Sequence, residues 1–227
     1  FISPHPKDLT AEIVAAMSKT ENVCEHLHLP LQSGSDSILS AMHRGYTGER
    51  FLRKIEQARS EIDDLSVTTD LIVGFPGESE TDFEETLEVV AEAQFDAAYT
   101  YIFSPRPGTD AAEMESKFIE HAVAVRRYET LRNVVKRSSL LKHKERVGRV
   151  EEVLVEGRSK KGTDLIKART RQNKILHLKF QDSLRVGTYA RVEVTDAPSH
   201  YLLGELLEVV AAPKHRKRIP VMAEQSA

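Results

Sequence analysis

Hydrophobic and polar positions follow two different patterns along the chain, and the change falls near Gly148. Up to about residue 110, short apolar runs lead into loops rich in Gly, Ser or Pro, and then into segments with helical periodicity. This succession predicts a parallel sheet, because parallel strands need long crossover connections that are usually helical. We therefore predict an α/β unit, either an open doubly wound sheet or a partial TIM-like barrel.

The apolar runs of this unit place three strands and the loops that follow them. The strands are His26 to Leu31, Ser66 to Val73 and Ala97 to Phe103, and the loops are 32–35, 74–78 and 104–109. Because ligand loops of α/β folds lie at the carboxyl ends of the strands, we expect these three loops to converge at one mouth. A full barrel needs more strands and the first residue is Phe1 rather than Met, so we expect a longer protein.

The second half of the chain has a different pattern. From Lys117 to about Val147, apolar residues at helical spacing without Gly or Pro predict a long basic connecting helix. After Gly148, five short strand-like runs in roughly 60 residues are typical of a small closed OB-like barrel. We therefore predict an α/β unit with its connecting helix at 1–146, an all-β barrel at 147–211 and a basic flexible tail at 212–227.

Charge is divided unevenly between the two halves. Residues 1–120 carry 9 Lys and Arg against 23 Asp and Glu, whereas residues 121–227 carry 23 against 12. Such asymmetry hints at nucleic-acid contact, although solvated acidic and basic faces would also produce it, and both interpretations stay open. No apolar run approaches the roughly 20 residues that span a bilayer, which argues against a membrane protein. A single cysteine excludes an internal disulfide and fits a reducing cytoplasm.

Polar residues at the predicted strand ends are the first candidates for chemistry. The run Gln32, Ser33, Gly34 and Ser35 offers backbone N–H groups and hydroxyls that suit ribose or an anion. Twelve positions after Gln32, Arg44 can present a guanidinium to a carboxylate, and Asp70 can accept hydrogen bonds from hydroxyls. Alternatively, the serines only cap a helix and Arg44 forms a surface ion pair.

Weaker signals favour structural roles. His26 and His28 share one strand face and can ligate a metal, but no third ligand is nearby. Cys24 is expected to be a small buried apolar residue. The alternating aromatic residues Tyr99, Tyr101 and Phe103 are expected to line the barrel interior or its packing face.

Two basic turns of the second unit are candidates for RNA binding. The candidates are Arg158, Lys160 and Lys161 in one turn, Arg169, Arg171 and Lys174 in another, and Phe180 and Tyr189 as stacking platforms. A basic turn is often only solvated, but two such turns on a small barrel favour RNA. Binding through phosphates predicts a strong dependence of affinity on salt.

Three motifs carry a family resemblance. They are H-L-H-L-P-L-Q-S-G-S-D-S-I-L-S-A-M-H-R-G-Y-T from His26 to Thr47, T-D-L-I-V-G-F-P-G-E from Thr69 to Glu78, and F-S-P-R-P-G-T from Phe103 to Thr109. In this order they resemble the radical S-adenosylmethionine methylthiotransferases. The segment from Gly148 to about Val210 resembles the TRAM domain that follows the catalytic barrel in that family.

The resemblance implies a cytoplasmic enzyme that cleaves S-adenosylmethionine on a 4Fe-4S cluster, drawing on an electron donor and acting as a monomer. Its expected reaction adds a methylthio group to C2 of an isopentenylated adenosine next to a tRNA anticodon. Gln32 and Asp70 would hold the ribose and Arg44 the methionyl carboxylate. The remaining cofactor-binding residues would be Ser33, Gly34, Ser35, Gly74, Phe103 and Ser104.

Some features depart from the family pattern. The cysteines that ligate the cluster in that family are absent. The cluster ligands are therefore expected outside this chain, and the chain alone is expected to be inactive. Glu78 falls one place late in the glycine-rich motif, and Ala168 stands where a glycine is expected. Alternative readings are related methylthiotransferases that act on threonylcarbamoyl-adenosine or a ribosomal protein, a stand-alone RNA-binding module, and a TIM-type enzyme that handles phosphate.

Overall fold

The computed structural model describes residues 3–160, 162 and 164–213. Lys161 and most of the predicted basic tail, including Lys214 to Arg218, lie outside the described residues. The first unit contains α1 (Ala11–Lys19), β1 (His26–His28), α2 (Asp36–Ala41), α3 (Gly48–Glu61), β2 (Ser66–Val73), α4 (Glu80–Ala93), β3 (Ala97–Ile102), α5 (Asp110–Glu113) and α6 (His121–Lys144). Short 3₁₀ turns lie at Pro6–Asp8 and Glu115–Lys117.

The sheet of this unit is parallel, with β2 between β1 and β3. Alternate residues such as Leu27, Val67 and Leu71 are fully buried in a core shared with the helices. The other set of alternate residues faces away from that core, and there Tyr99 and Tyr101 are 60% and 52% exposed. We call this second side the inner face, because it corresponds to the interior of a barrel. The predicted α/β fold is confirmed.

The first strand ends earlier than its apolar pattern predicts. Pro30 has no N–H with which to continue the ladder, and the side chain of Thr69 takes part in the bonding instead. Its hydroxyl donates to the Leu29 carbonyl and accepts from the Leu31 N–H, both at 2.8 Å. Gln32 then pairs with β2 through an isolated bridge. The chain therefore continues along β2 beyond the end of β1.

Five strands form the second unit, as predicted. They are β4 (Val150–Arg158), β5 (Leu165–Thr170), β6 (Ile175–Lys179), β7 (Tyr189–Asp196) and β8 (Leu202–Ala211). Hydrogen bonds close them into a barrel in the order β4-β5-β6-β8-β7, around a core of alternating apolar residues. A closed barrel leaves no free strand edge.

The barrel contacts the amino ends of the sheet strands through ion pairs. Arg171, in the turn between β5 and β6, lies 2.7 Å from Glu25, which directly precedes β1. Lys174, from the same turn, lies 2.6 Å from Asp96, which directly precedes β3. Acidic residues of the first half thus contact basic residues of the second half at the amino ends of the sheet strands. Part of the charge asymmetry therefore serves contact between the domains.

A third acidic residue lies at the same amino ends of the strands. Asp64, two residues before β2, accepts from Arg146 at 2.6 Å and from the Gln172 amide at 2.9 Å. Arg146 also lies 2.9 Å from Glu151 at the start of β4. The connecting helix and the barrel are therefore tied to the same point of the sheet. No helix in the described part of the chain is long and apolar enough to cross a membrane.

Candidate functional site

A cavity of about 770 Å³ opens at the carboxyl ends of the strands. Its wall includes five of the residues that sequence reasoning selected, which come from four separate segments. These are Gln32, Arg44, Asp70, Phe103 and Ser104. The aromatic side chains of Phe75 and Tyr101 also line it; neither was selected as a cofactor-binding residue, although Tyr101 was expected to line the barrel interior or its packing face. The convergence of residues from several strand ends is what the parallel topology predicts.

Gln32 adopts an unusual backbone conformation at this cavity. Its φ is 73°, in the left-handed region that non-glycine residues rarely occupy. The backbone is held there from both sides, since Gln32 donates to the Asp70 carbonyl and accepts from the Ile72 N–H, each at 2.8 Å. Strained residues of this kind concentrate at functional sites, where the surrounding structure overdetermines them. The side chain is nearly buried and lines the cavity.

Arg44 carries a buried donor that has no partner. Its Nε atom is inaccessible to solvent, and no acceptor lies within hydrogen-bonding distance in the described structure. A buried unsatisfied donor costs about 1–3 kcal/mol, and more when the group is charged. The neighbours His43 and Gly45 both have positive φ, at 56° and 69°. The turn after α2 thus holds the guanidinium at a place where an anionic ligand would satisfy it.

Tyr46 fixes this turn to the end of β1. Its hydroxyl donates to the Leu31 carbonyl at 2.8 Å, and its ring is almost completely buried. Burial raises the pKa of Tyr46 to about 12, so the phenol remains a hydrogen-bond donor at neutral pH. Sequence reasoning did not select this residue. Its only signal is an aromatic residue that follows the arginine at a helix end.

Asp70 reaches the cavity from the inner face of β2. Its carboxylate is partly exposed, with 27% of the side chain accessible. The oxygen Oδ2 lies 3.3 Å from Nε2 of His28 on the neighbouring strand. One face of the carboxylate is therefore held by the sheet, and the rest is open to a ligand.

Ser33, Gly34 and Ser35 do not face the cavity, which corrects the expectation from sequence. Both serines are fully buried, and Ser35 donates to Asp82 at 2.6 Å. The N–H of Gly34 donates to the Thr86 hydroxyl at 3.0 Å. An added Cβ at Gly34 would lie 2.5 Å from the Thr86 Cα. These residues instead pack the loop after β1 against α4.

Gly74 is also turned away from the cavity. Its N–H donates to the Glu78 carboxylate at 2.8 Å, and an added Cβ would meet Ala124 of α6 at 3.0 Å. Glu78 is 2.8 Å from Arg127, and both side chains are buried. Burial raises the pKa of Glu78, while the Gly74 N–H and Arg127 oppose that shift. The G-F-P-G-E loop therefore joins the sheet to α6, and Gly74 is part of that joint.

The two histidines of β1 lie on the inner face, and both contact the Thr68 hydroxyl. His26 Nε2 and His28 Nδ1 lie 3.0 Å and 2.9 Å from the Thr68 hydroxyl. Among the described residues, no group of three or more His, Cys, Asp or Glu side chains is arranged to hold a metal ion. Cys24 is exposed rather than buried, contrary to expectation. One cysteine cannot ligate a four-iron cluster.

The two basic turns of the barrel have different surroundings. Arg158 stacks over Phe180, with its guanidinium carbon 4.3 Å from the ring centroid, and the ring is 39% exposed. Lys160 is exposed, whereas Lys161 lies outside the described residues. Tyr189, on β7, is 43% exposed. This first turn remains a candidate RNA surface.

The second turn is largely occupied by contacts within the protein. Arg169 is bonded to Glu156 and Asn173, and Arg171 is bonded to Glu25. The side chain of Lys174 is only 4% exposed. The expectation of a second exposed basic turn is therefore wrong for Lys174, which lies in the domain interface. The acidic partners of Arg171 and Lys174 lie 146 and 78 residues away, so the basic pattern alone could not reveal these contacts.

Comparison with known proteins defines the class of this chain. The radical SAM superfamily profile matches residues 1–90, and the TRAM domain profile matches residues 144–207. Among solved structures, the radical SAM enzyme coproporphyrinogen III oxidase (HemN) from Escherichia coli has a TM-score of 0.52 at 13% sequence identity. That match covers 85% of this chain and 45% of the oxidase chain, and it shows the fold alone.

Closer relatives narrow the assignment. The chain is 46% identical over 210 residues to the tRNA-2-methylthio-N(6)-dimethylallyladenosine synthase of Thermoanaerobacter sp. (strain X514), over 92% of this chain and 44% of that protein. It is 47% identical over 209 residues to the synthase of Streptomyces coelicolor, over 90% of this chain and 41% of that protein. The chain thus carries a radical SAM domain and a TRAM domain and is similar to these methylthiotransferases over most of its own length, while it spans less than half of theirs.

Proposed function

We propose that this chain is part of a tRNA methylthiotransferase that binds S-adenosylmethionine in the cavity at the carboxyl ends of the strands. The proposed reaction adds a methylthio group to C2 of an isopentenylated adenosine in tRNA. One observation carries the proposal: Arg44, whose buried Nε has no partner among the described residues, lines the same cavity as Gln32 and Asp70. The names of the relatives support the choice of substrate.

The cavity offers a partner for each polar part of S-adenosylmethionine. The Arg44 guanidinium, which lines the cavity, binds the methionyl carboxylate through charge-assisted hydrogen bonds. Gln32 and Asp70 accept hydrogen bonds from the ribose hydroxyls. Phe75 and Phe103, which are in edge-to-face contact at 5.3 Å, give the cavity an apolar wall that limits access of water.

The chemistry of the bound group is separate from this positioning. When bound to a reduced 4Fe-4S cluster, S-adenosylmethionine supplies a 5′-deoxyadenosyl radical. The single cysteine cannot ligate that cluster, so we place its ligands outside these residues. A cytoplasmic electron donor would reduce the cluster, and we propose that the full-length enzyme is a monomer.

We propose that the exposed turn of the β-barrel binds tRNA. Phe180 offers a partly exposed ring for stacking, and Arg158 covers part of the same ring. Lys160 and Lys161 add charge for phosphate contacts. Tyr189 is a further stacking candidate on the same barrel. Arg169 is a weaker candidate because Glu156 already pairs with it.

The cofactor proposal is tested with the full-length protein, reconstituted anaerobically. We expect Arg44→Met to raise the Kd for S-adenosylmethionine by about 10-fold or more, since a hydrogen bond to a charged group contributes roughly 1.5–3 kcal/mol. Arg50→Met, at an exposed position on α3, is the matched control. Mass spectrometry of tRNA nucleosides then detects the added methylthio group. Wild-type affinity in Arg44→Met would contradict the assignment of the cavity.

The RNA proposal is tested by measuring tRNA affinity at several salt concentrations. We expect Arg158→Ala to weaken binding and to reduce the slope of log K against log salt by about one. Phe180→Ala should weaken binding by about 1–3 kcal/mol without changing the slope, because stacking releases no counterions. Arg191→Ala, on the exposed side of β7 and paired with Glu208, is the control. Unchanged affinity in both test variants would place the RNA elsewhere.

A further inference from the structure

A row of hydrogen bonds crosses the inner face of the sheet and ends on the carboxylate of Asp70. It runs from His26 to the Thr68 hydroxyl at 3.0 Å, and from that hydroxyl to His28 at 2.9 Å. His28 then reaches Asp70 at 3.3 Å. All four residues come from β1 and β2, so the parallel register of these strands places them side by side. We call these four residues the His–Thr–His–Asp row.

Only one arrangement of hydrogens satisfies every contact in the row when both imidazoles are neutral. The Asp70 carboxylate can only accept, so Nε2 of His28 must carry its hydrogen. Nδ1 of neutral His28 then carries no hydrogen, and it accepts a hydrogen bond from the Thr68 hydroxyl. That leaves the Thr68 oxygen to accept from the Nε2–H of His26. The tautomer of each ring is therefore set by the next member of the row.

The environment of His26 keeps its own imidazole neutral. Burial, as the main cause, and the nearby His28, as the second, lower the pKa of His26 to about 4. Its ring is therefore uncharged at neutral pH. His26 and His28 line a cleft between the sheet and the β-barrel, whereas Asp70 lines the cavity at the carboxyl ends. The row therefore joins the cleft to the cavity.

We propose that His28 is a positioning residue, which holds the Asp70 carboxylate in the orientation that meets S-adenosylmethionine, and that Thr68 fixes the tautomer required. The inference rests on the proposed function, because it concerns the same cavity. The Asp70 carboxylate also lines the cavity, and 27% of its side chain is accessible. Without the His28 N–H, the carboxylate is free to rotate or to bind water.

The test measures equilibrium binding of S-adenosylmethionine to the reconstituted full-length protein by anaerobic dialysis. We expect His28→Phe to raise the Kd by about 3- to 10-fold, the effect of losing one hydrogen bond. His28→Gln should stay near wild type, because its amide N–H can take the place of Nε2–H. Thr68→Val should weaken binding and Thr68→Ser should not. Affinity for tRNA and the thermal midpoint are the controls for a merely structural effect.

A double-mutant cycle separates this inference from the proposed function. If His28 acts through Asp70, the double variant His28→Phe/Asp70→Ala should bind no more weakly than Asp70→Ala alone. Fully additive effects, or wild-type affinity in both His28→Phe and Thr68→Val, would overturn the positioning role. Wild-type affinity in Asp70→Ala would instead overturn the assignment of the cavity. Should His28→Phe fail to fold, the Thr68 pair and a cycle that combines Thr68→Val with Asp70→Ala still decide the question.

Discussion

The buried ion pair between Lys174 and Asp96 offers a sharp test of how the two domains are joined. Replacing Lys174 with Met keeps most of the side-chain volume but removes the charge. The two side chains are 4% and 7% exposed and their charged atoms are 2.6 Å apart. At an effective dielectric constant of about 20, two unit charges at this distance attract by roughly 6 kcal/mol, and desolvation offsets much of that attraction.

The larger effect comes from the partner that remains. In Lys174→Met the Asp96 carboxylate stays buried, and the Val67 N–H still donates to it at 2.9 Å. Removing one member of a buried pair destabilises a protein by about 3–5 kcal/mol, because it leaves an uncompensated charge. We therefore expect a loss of this size in the free energy of unfolding. The double variant Lys174→Met/Asp96→Asn should recover part of it.

Urea unfolding followed by far-ultraviolet circular dichroism measures this loss, since the chain contains no tryptophan to serve as a fluorescent probe. Lys179→Met is the matched control, because Lys179 lies at the exposed end of β6 in the same region. Proteolysis should also cleave the region near Gly148 faster if the barrel detaches from the sheet. A loss below about 1 kcal/mol, or an equal loss in Lys179→Met, would refute the electrostatic argument.

Two further predictions concern packing and pH. Gly34→Ala should lower the free energy of unfolding by about 1–3 kcal/mol, since the new Cβ would lie 2.5 Å from the Thr86 Cα. Thermal unfolding measures this loss, and an unchanged midpoint would contradict the close approach. The folded-state pKa of His26 is lowered to about 4, so the unfolded chain binds this proton first and stability should fall as the pH drops from about 6.5 towards 4. Because solvent screens this partly accessible ring, we expect the loss of stability to be about 1–2 kcal/mol. The free energy of unfolding of His26→Gln and of wild type, each measured at pH 7 and pH 5, tests this. If both proteins show the same pH dependence, another group is responsible for it.

Local signals in the sequence predicted elements well when the interaction that forms them is also local. The S-x-x-D sequence is a typical helix start, and Ser79 and Asp82, three residues apart, form this capping box at the start of α4. The long helix was predicted from Lys117 to about Val147 and extends from His121 to Lys144, with a 3₁₀ turn before it. The first strand was predicted too long because its apolar pattern continues through Pro30. The spacing of apolar residues identified each helix or strand, and backbone hydrogen bonding determined where it ends.

Site residues were predictable where topology alone brings them together. Gln32 and Asp70 reach one cavity because parallel strands end at the same edge. The neighbouring Ser33 and Gly34 were misplaced, because their direction depends on Thr86, more than 50 residues further along the chain. Lys174 was misplaced for the same reason, since Asp96 is 78 positions away. Charge and spacing cannot reveal a partner that only the tertiary fold supplies.

The acidic residue in front of each strand has a practical consequence for genetics and biochemistry. An alanine scan of the basic residues would find that a change at Arg171 impairs function, and a loss of RNA affinity would be the natural explanation. Arg171 donates to the Glu25 carboxylate and to the carbonyls of Glu21 and Val23, so its removal loosens one of the contacts that align the β-barrel with the sheet. A defect measured there would report a misaligned substrate rather than a lost phosphate contact.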